Sequence, residues 1–235
     1  GQNASSTSGK QEKAVSQHDL RIQTFVEPNF AENAYVVSTA SDDGKRVGWV
    51  IDPSFAPAVD NLLKYAATER VTIEKILLTH GHGDHIAGVD QVHKAFPTAQ
   101  VGIHPADRPM LADGRRNLSA MFGIDLTIRT TADLDLAAET TLNLGPLSWR
   151  VLDTSGHSPG GISLYCAQAG SVFTGDALFP GSIGRTDFPG ANGRQLIANI
   201  RRHLLTLPDE TTVYAGHGEP TTIGIERKSN PFLAE

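Results

Sequence analysis

Short runs of alternating apolar and polar residues dominate the first part of the chain. Three β-prone runs, at 22–26, 35–38 and 47–51, are separated by pieces rich in Pro, Asn, Asp and Gly. This pattern is typical of strands joined by turns, so we predict an antiparallel meander. Residues 57–70 then place apolar side chains at helical spacing, which predicts an amphipathic helix. A further strand is predicted at 73–79.

A second β-rich region follows an irregular segment at 105–122. Before that segment, helical spacing continues to about residue 97, and a strand is predicted at 101–104. The second region predicts strands at 126–129, 140–144, 147–152, 162–166 and 171–174. It ends with a predicted helix at 193–207, a strand at 212–214 and a short helix at 223–228. Two β-rich halves, each followed by helices, predict an α/β fold in which two sheets pack face to face with helices outside, an αββα sandwich.

Composition indicates a soluble globular protein that acts on a small molecule. The 235 residues are 39% apolar and 20% charged, enough to bury a core without disulfides, and the only cysteine is Cys166. The polar residues 1–19 predict a disordered tail before a single domain at 20–235. A net charge of −6 disfavours a nucleic-acid partner, and no apolar run is long enough to cross a membrane. We expect a cytoplasmic location, and nothing in the sequence indicates an oligomeric state.

Potential metal ligands crowd one predicted strand-to-helix turn. His80, His82, Asp84 and His85 fall within six residues, and glycine occupies both spacer positions. Imidazole is a common ligand for zinc, iron or copper, and carboxylate suits harder divalent cations. In an extended loop His80 and His82 point the same way and can share one metal, whereas Asp84 and His85 can face a second. The spacing predicts two metals about 3.5–4 Å apart, an arrangement known in hydrolases.

Three further candidates share one local context, a strand end followed by a glycine-rich turn. They are His157, Asp176 and His217. Glycine beside a ligand allows the backbone to approach closely and to adopt unusual dihedral angles. Alone, each residue would be interpreted as a cap or a buried hydrogen-bonding group. Together with the first cluster they give seven candidate ligands, which is enough for two metal ions.

The whole pattern, from His80 to His217, resembles that of the metallo-β-lactamase superfamily and covers nearly all of the chain after residue 20. The resemblance implies an αββα sandwich of the metallo-β-lactamase type. It implies two divalent metal ions as cofactors, zinc in first place and iron or manganese as alternatives. The implied ligands are His80, His82 and His157 for the first metal, Asp84, His85 and His217 for the second, and Asp176 as the bridge. Asp84 is also the implied residue for proton handling.

The residues around Asp176 look like those of compact bacterial glyoxalase II-like hydrolases, in the stretches 175–190, 216–224 and 230–233. This resemblance implies hydrolysis of a thioester such as S-lactoylglutathione by a hydroxide that bridges the metals, without a side-chain nucleophile. Classical glyoxalase II enzymes hold glutathione partly through a helical C-terminal region, whereas 18 residues follow His217 in this sequence. Arg185 is therefore our candidate anchor for a substrate carboxylate. An ion pair with Asp187 is the alternative interpretation.

Other functions of the same fold stay open at this point. An iron-dependent persulfide dioxygenase would bind one iron through His80, His157 and Asp176, and the run at 184–188 resembles that branch. A lactonase would use the same two-metal chemistry as a thioesterase. A metal-binding module without turnover is disfavoured because all seven candidate ligands are present. The residues at 182–183 and 230–232 favour the hydrolase.

Overall fold

The computed structural model describes residues 19–234. The predicted disordered tail at 1–19 lies outside the described residues except for its last residue, and so does the last residue of the predicted domain at 20–235. The described residues form two six-stranded sheets with helices on their outer faces. This architecture confirms the predicted αββα sandwich. None of the described helices is long and apolar enough to span a bilayer.

The first sheet comes from the amino-terminal half of the chain. Its strands, in spatial order, are β1 (Arg21–Glu27), β2 (Glu32–Ala40), β3 (Arg46–Ile51), β4 (Val71–Leu77), β5 (Gln100–Ile103) and β6 (Leu134–Asp135). The first three strands pair antiparallel, which confirms the predicted meander. From β3 to β6 the strands run parallel, so their carboxyl ends lie at one edge of the sheet.

The second sheet comes from the carboxy-terminal half. Its strands are β7 (Thr141–Leu144), β8 (Leu147–Asp153), β9 (Ile162–Cys166), β10 (Ser171–Gly175), β13 (Thr212–Ala215) and β14 (Thr221–Thr222), and a separate hairpin consists of β11 (Leu178–Phe179) and β12 (Ser182–Ile183). The spatial order is β14-β13-β10-β9-β8-β7. Strand β10 runs parallel to β13. It also runs in the same direction as β8, because β9 lies between them and is antiparallel to both. The carboxyl ends of β8, β10 and β13 therefore lie at one edge.

Helices cover both sheets. The helices on the first sheet are α1 (Ala58–Thr68), α2 (Gly83–Ile86) and α3 (Val89–Ala95), and those on the second are α4 (Gly193–Asn199) and α5 (Ile223–Ser229). Helix α1 buries Val59, Leu62 and Ala66, the apolar stripe that predicts it. The helix predicted at 193–207 continues after α4 as a π-helix, Ile200–Leu204.

One predicted strand, at 126–129, is wrong. The N–H of Ile128 donates to the Leu111 carbonyl, and the N–H of Arg129 donates to the Asp90 carboxylate. The backbone N–H groups of this segment therefore donate to the 3₁₀ helix Arg108–Ala112 and to helix α3, and not to a neighbouring strand, although Ile128 is still buried. Strand β6 takes the place beside β5 instead.

Aromatic side chains join the two sheets. Alternation along β8 directs Trp149 inward and Arg150 outward. The Trp149 ring centroid lies 6.2 Å from that of Trp49 on β3 and 5.5 Å from that of Phe173 on β10. All three of these aromatic side chains are buried, so the contact fixes the separation of the sheets whose edges carry the site.

We predict that Trp49→Ala lowers the free energy of unfolding by about 3–5 kcal/mol, because it leaves a cavity between the sheets. Urea denaturation measures the loss. Val26→Ala is the control. Val26 is 56% exposed, so this substitution should lower the free energy of unfolding by less than about 0.5 kcal/mol. A loss for Trp49→Ala as small as that of the control would contradict the role given to the tryptophan pair.

Candidate metal centre

The predicted ligands converge at the edge where strands of both sheets end. The segments that follow β4, β8, β10 and β13 carry His80, His82, Asp84, His85, His157, Asp176 and His217. Six of these seven residues belong to compact groups in which the ligand atoms lie within 4.8 Å of one another, and Asp176 lies between the groups. The other described histidines, His93, His104 and His203, lie outside these groups.

The first group consists of His80, His82 and His157. All three residues are buried. The Nδ1 of His82 lies 2.9 Å from the Nε2 of His157, and the ring centroids of His80 and His82 are 4.7 Å apart. Three imidazole nitrogens therefore face one small volume, as the sequence predicts for His80 and His82.

The second group consists of Asp84, His85 and His217. The Oδ2 of Asp84 lies 3.5 Å from the Nε2 of His85 and 3.3 Å from the Nε2 of His217. His85 is fully buried, whereas the Asp84 and His217 side chains are partly open to the cleft. One carboxylate and two imidazoles thus share a second volume.

Asp176 lies between the two groups. Its Oδ2 is 3.5 Å from the Nε2 of His157 and 3.4 Å from the Nε2 of His217, and its Oδ1 is 3.2 Å from the Nε2 of His85. The neighbouring backbone makes room for it: a Cβ on Gly216 would collide with Asp176 Oδ1 and with the His85 ring. The glycine next to His217 is therefore required by close approach.

Hydrogen bonds on one ring nitrogen direct the other nitrogen of each imidazole into the site. The Nδ1 of His157 lies 2.7 Å from the Arg185 carbonyl, and the Nδ1 of His217 lies 3.0 Å from the Phe30 carbonyl. A carbonyl only accepts, so both Nδ1 atoms donate, and in each ring Nε2 is the nitrogen that faces the site and can bind a metal once it has lost its proton. Such tautomer control by an outer partner is usual for histidines that bind metals.

Asp52 contacts His85 directly and His80 through Thr79. The sequence did not identify Asp52 as a residue of the site. Its carboxylate accepts the Thr79 N–H at 2.8 Å and the Thr79 hydroxyl at 2.6 Å, and it lies 2.9 Å from the Nδ1 of His85. The Thr79 hydroxyl in turn lies 3.1 Å from the Nδ1 of His80. Asp52 has a φ of 51°, a costly conformation that these contacts stabilise. An aspartate directly at the end of β3 was the available signal.

Asp107 is a second residue that the sequence analysis missed. It is fully buried and accepts the N–H of Gly81 at 3.0 Å, the hydroxyl of Ser158 at 2.7 Å and the N–H of Gly160 at 2.6 Å. One carboxylate therefore ties the loop of His80 to the loop of His157. No local pattern in the sequence marks Asp107, because its partners are distant along the chain.

The metal-free site has an uneven distribution of protons. Burial lowers the pKa of His80 well below 6.5 and lowers the pKa of His82 to about 3. Burial opposes protonation of His85 too, but Asp176 and neighbouring carboxylates hold its pKa well above 6.5. The pKa of His217 is raised to about 10 for the same reason. At pH 7 the first two imidazoles are neutral and the last two are protonated.

Three buried atoms of the predicted ligands make no hydrogen bond of good geometry with the described residues: Nε2 of His80, and Nε2 of His85 and Oδ1 of Asp176, which lie 3.2 Å from each other. A buried polar atom without a partner costs about 1–3 kcal/mol. Imidazole nitrogen and carboxylate oxygen are ligands for zinc, iron and manganese. The donor set therefore fits metal ions, which would satisfy the atoms that the protein leaves unpaired.

A cleft of about 230 Å³ opens over both groups. Aromatic side chains from separate parts of the chain line it: Phe30, Phe55, Phe122, Phe179 and Phe188. Arg185 also lines the cleft, with its guanidinium 4.4 Å from the Phe188 ring centroid, and it pairs with Asp187 through bonds of 2.9 and 2.8 Å. The ion pair considered as an alternative for Arg185 is thus present. The sequence did not identify the five phenylalanines as lining a site, because single aromatic residues spread along the chain form no pattern.

Comparison with known families matches residues 28–217 to the metallo-beta-lactamase superfamily. The chain belongs to this superfamily. Membership, together with the donor groups, makes the protein a metallo-hydrolase of the metallo-β-lactamase superfamily. It also confirms the family resemblance seen in the sequence.

Two relatives in the superfamily are similar over most of the chain. The probable metallo-hydrolase YqgX of Bacillus subtilis is 42% identical over 171 residues, which are 72% of this chain and 80% of that protein. Hydroxyacylglutathione hydrolase GloC of Haemophilus influenzae is 35% identical over 193 residues, which are 82% of this chain and 89% of that protein.

Solved structures show the same metallo-β-lactamase fold. The BLEG-1 B3 metallo-beta-lactamase has a TM-score of 0.83 at 37% identity and covers 92% of this chain and 100% of its own. TTHA1623 in a di-iron-bound form has a TM-score of 0.77 at 35% identity, with 90% and 100% covered. ETHE1 from Myxococcus xanthus has a TM-score of 0.71 at 28% identity, with 90% and 83% covered.

We predict that the metal-free protein loses stability as the pH rises. The folded-state pKa of His217 is about 10, above its ordinary 6.5, so protonated His217 stabilises the fold fully below pH 6.5, and this contribution disappears as the pH passes through about 10. Conversely, the pKa of Asp176 is held well below 3.8, so its contribution is present above that pH and is lost in acid. Thermal unfolding of EDTA-treated protein between about pH 5 and pH 11 measures the alkaline limb, and a second series below pH 3.8 measures the acid limb.

His217→Gln is the control for the alkaline limb, because it keeps a polar side chain without the titrating group. Its unfolding temperature should vary less between pH 6.5 and 10 than that of the unaltered chain. Equal slopes for the two proteins would show that His217 is not held protonated by its neighbours.

Proposed function

We propose that the protein hydrolyses a thioester, such as S-lactoylglutathione, at a centre of two divalent metal ions. The observation that carries this proposal is the place of Asp176, 3.2 Å from a nitrogen of the second group and 3.5 Å from a nitrogen of the first. A carboxylate shared by two ligand sets is what a two-metal hydrolase requires. The similarity to GloC, whose name is hydroxyacylglutathione hydrolase, supports the substrate class.

The ligand assignment follows the two groups. His80, His82 and His157 would hold the first ion, Asp84, His85 and His217 the second, and Asp176 both. Zinc is our first choice, with iron or manganese as alternatives. When bound, such ions supply a nucleophile from water near pH 7 and polarise the carbonyl of the substrate.

The chain's own residues support this chemistry without a covalent step. Among the described residues that line the cleft, Ser119 carries the only hydroxyl, and it already accepts the Leu126 N–H at 3.0 Å. Water therefore adds to the carbonyl carbon, the C–S bond breaks, and a carboxylic acid and a thiol leave.

Burial opposes ionisation of Asp84, but His85 holds its pKa below 3.8. Asp84, which lines the cleft, is therefore ionised near pH 7 and is the proposed acceptor of a proton.

Arg185 is the proposed anchor for a carboxylate on the thiol portion of the substrate. It is the only Lys or Arg among the described residues that line the cleft. Its side chain is 67% exposed, so its pair with Asp187 lies in water and is weak. A substrate carboxylate can therefore replace Asp187 on the guanidinium.

A mononuclear iron dioxygenase is the second candidate function. Asp176 Oδ2 lies 3.9 Å from the Nε2 of His80 and 3.5 Å from the Nε2 of His157. Two histidines and one carboxylate are the usual ligands of non-haem iron in oxygenases. A site with a single iron ion would give no role to the second group, which consists of Asp84, His85 and His217.

The two candidate functions predict different metal contents. We expect about two metal ions per chain in protein purified without added metal, together with hydrolysis of S-lactoylglutathione. Asp176→Ala should reduce turnover more than about 100-fold, because it removes the shared ligand, and should lower the metal content. His93→Ala, a histidine outside the groups, is the control and should keep both. One iron per chain with oxygen uptake on glutathione persulfide would favour the dioxygenase.

Arg185→Ala should raise the KM for S-lactoylglutathione by about tenfold and have a smaller effect on an aryl thioester that lacks a carboxylate, because it removes the anchor for that group. Arg150→Ala is a matched control, since Arg150 also lies near an acid, Glu139, and near the Tyr165 ring, but outside the cleft. An equal rise in KM for both thioesters would remove the anchor role from Arg185.

A further inference from the structure

Three phenylalanines from distant parts of the chain form one side of the cleft. The Phe30 ring stacks on Phe55 with centroids 5.7 Å apart, and Phe122 meets Phe30 edge to face at 5.1 Å. Phe30 belongs to the turn between β1 and β2, Phe55 to the loop before α1, and Phe122 to a 3₁₀ turn, Ser119–Phe122. We refer to Phe30, Phe55 and Phe122 as the aromatic wall.

The aromatic wall lies beside the second group of ligands. The Phe30 carbonyl accepts the Nδ1–H of His217 at 3.0 Å, so the backbone that holds the ring is bonded directly to the site. Phe179 extends the apolar surface on the same side, with its ring centroid 5.8 Å from that of His217. A substrate carbonyl at the site would place one of its two substituents against these rings.

The other end of the cleft has different chemistry. Phe188 lies 5.7 Å from the His82 ring and 6.1 Å from the His157 ring, next to the first group, and it carries the Arg185 guanidinium on its face. The cleft therefore has one end that consists mainly of aromatic rings and one end with the Arg185 guanidinium. A thioester with an apolar acyl group and a carboxylate on its thiol portion matches both ends.

The aromatic wall also exposes apolar surface that packing within the chain does not require. Phe122 is 62% exposed, the adjacent Met121 65% and Ile124 37%. Large apolar side chains that cluster in solvent beside a site commonly mark the place where a ligand binds. A methyl group, as in a lactoyl chain, would leave most of this surface uncovered.

We propose that the aromatic wall selects thioesters with a bulky apolar acyl group, an aromatic ring in particular, over those with a small acyl group. This inference rests on the proposed thioester hydrolysis and specifies its acyl side. An acyl ring can pack edge to face on Phe30 and Phe122, as those rings do on each other. The thiol portion then extends toward Arg185.

The test compares two thioesters that differ in one group. S-mandeloylglutathione and S-lactoylglutathione share the thiol and the 2-hydroxyacyl skeleton and differ only by phenyl against methyl. We expect kcat/KM to be at least about tenfold higher for the mandeloyl compound, because the phenyl group buries more apolar surface. Phe122→Ala should reduce this ratio to about threefold or less.

Phe232→Ala is the matched control, since Phe232 is also an exposed phenylalanine, at 52%, but does not line the cleft. It should leave the ratio of the two kcat/KM values as it is in the unaltered chain. Equal kcat/KM values for the two thioesters, or a ratio that Phe122→Ala and Phe232→Ala change alike, would overturn the role of the aromatic wall while hydrolysis itself still stood.

A binding measurement separates this inference from the proposed function. Titration calorimetry of the zinc-loaded protein with mandelate and with lactate compares phenyl with methyl in the absence of turnover. Tighter binding of mandelate by at least about tenfold, lost in Phe122→Ala, supports the aromatic wall even if neither thioester is hydrolysed. Equal binding of the two acids together with no hydrolysis would overturn both proposals.

Discussion

The site depends on the buried contacts that Asp52 makes with Thr79 and His85. The Asp52 carboxylate accepts two hydrogen bonds from Thr79 and lies against His85, at a depth where an unpaired ion would lose its hydration without replacement. Because Asp52 ends β3 and Thr79 follows β4, the same contact fixes the distance between two strand ends. The contacts of Asp52 with Thr79 and His85 therefore constrain the loop that carries His80 and His82.

The loops that carry the ligands are also the loops that shape the cleft. Asp107 ties the loop of His80 to the loop of His157 and lies in the segment that leads to Phe122. On the other side, Phe30 supplies a ring to the cleft and a carbonyl to His217. Phe30 therefore links the surface of the cleft to a predicted metal ligand through one residue.

The sequence predicts those parts of the site that have local spacing. The cluster from His80 to His85, the strand ends before it and the two sheets all follow from periodicity and from glycine context. Asp52 and Asp107 could not be predicted in the same way, because their partners are distant along the chain and a single buried aspartate has no period. The strand predicted at 126–129 failed for a related reason: the alternation correctly indicates that Ile128 is buried, but it does not say which groups accept the backbone hydrogen bonds.

Arg185 shows how one side chain can satisfy two interpretations. In the absence of substrate, Asp187 pairs with the guanidinium and Phe188 supports it from below, which fixes its orientation at the mouth of the cleft. Both partners of the ion pair are about two-thirds exposed, at 67% and 65%, so water competes for each of them and little stability depends on the pair. Exchange of the Asp187 carboxylate for one on a substrate would keep the same geometry and the same charge balance. In the proposed role of Arg185, the ion pair orders the guanidinium before substrate binds, and it is weak enough for a substrate carboxylate to replace it.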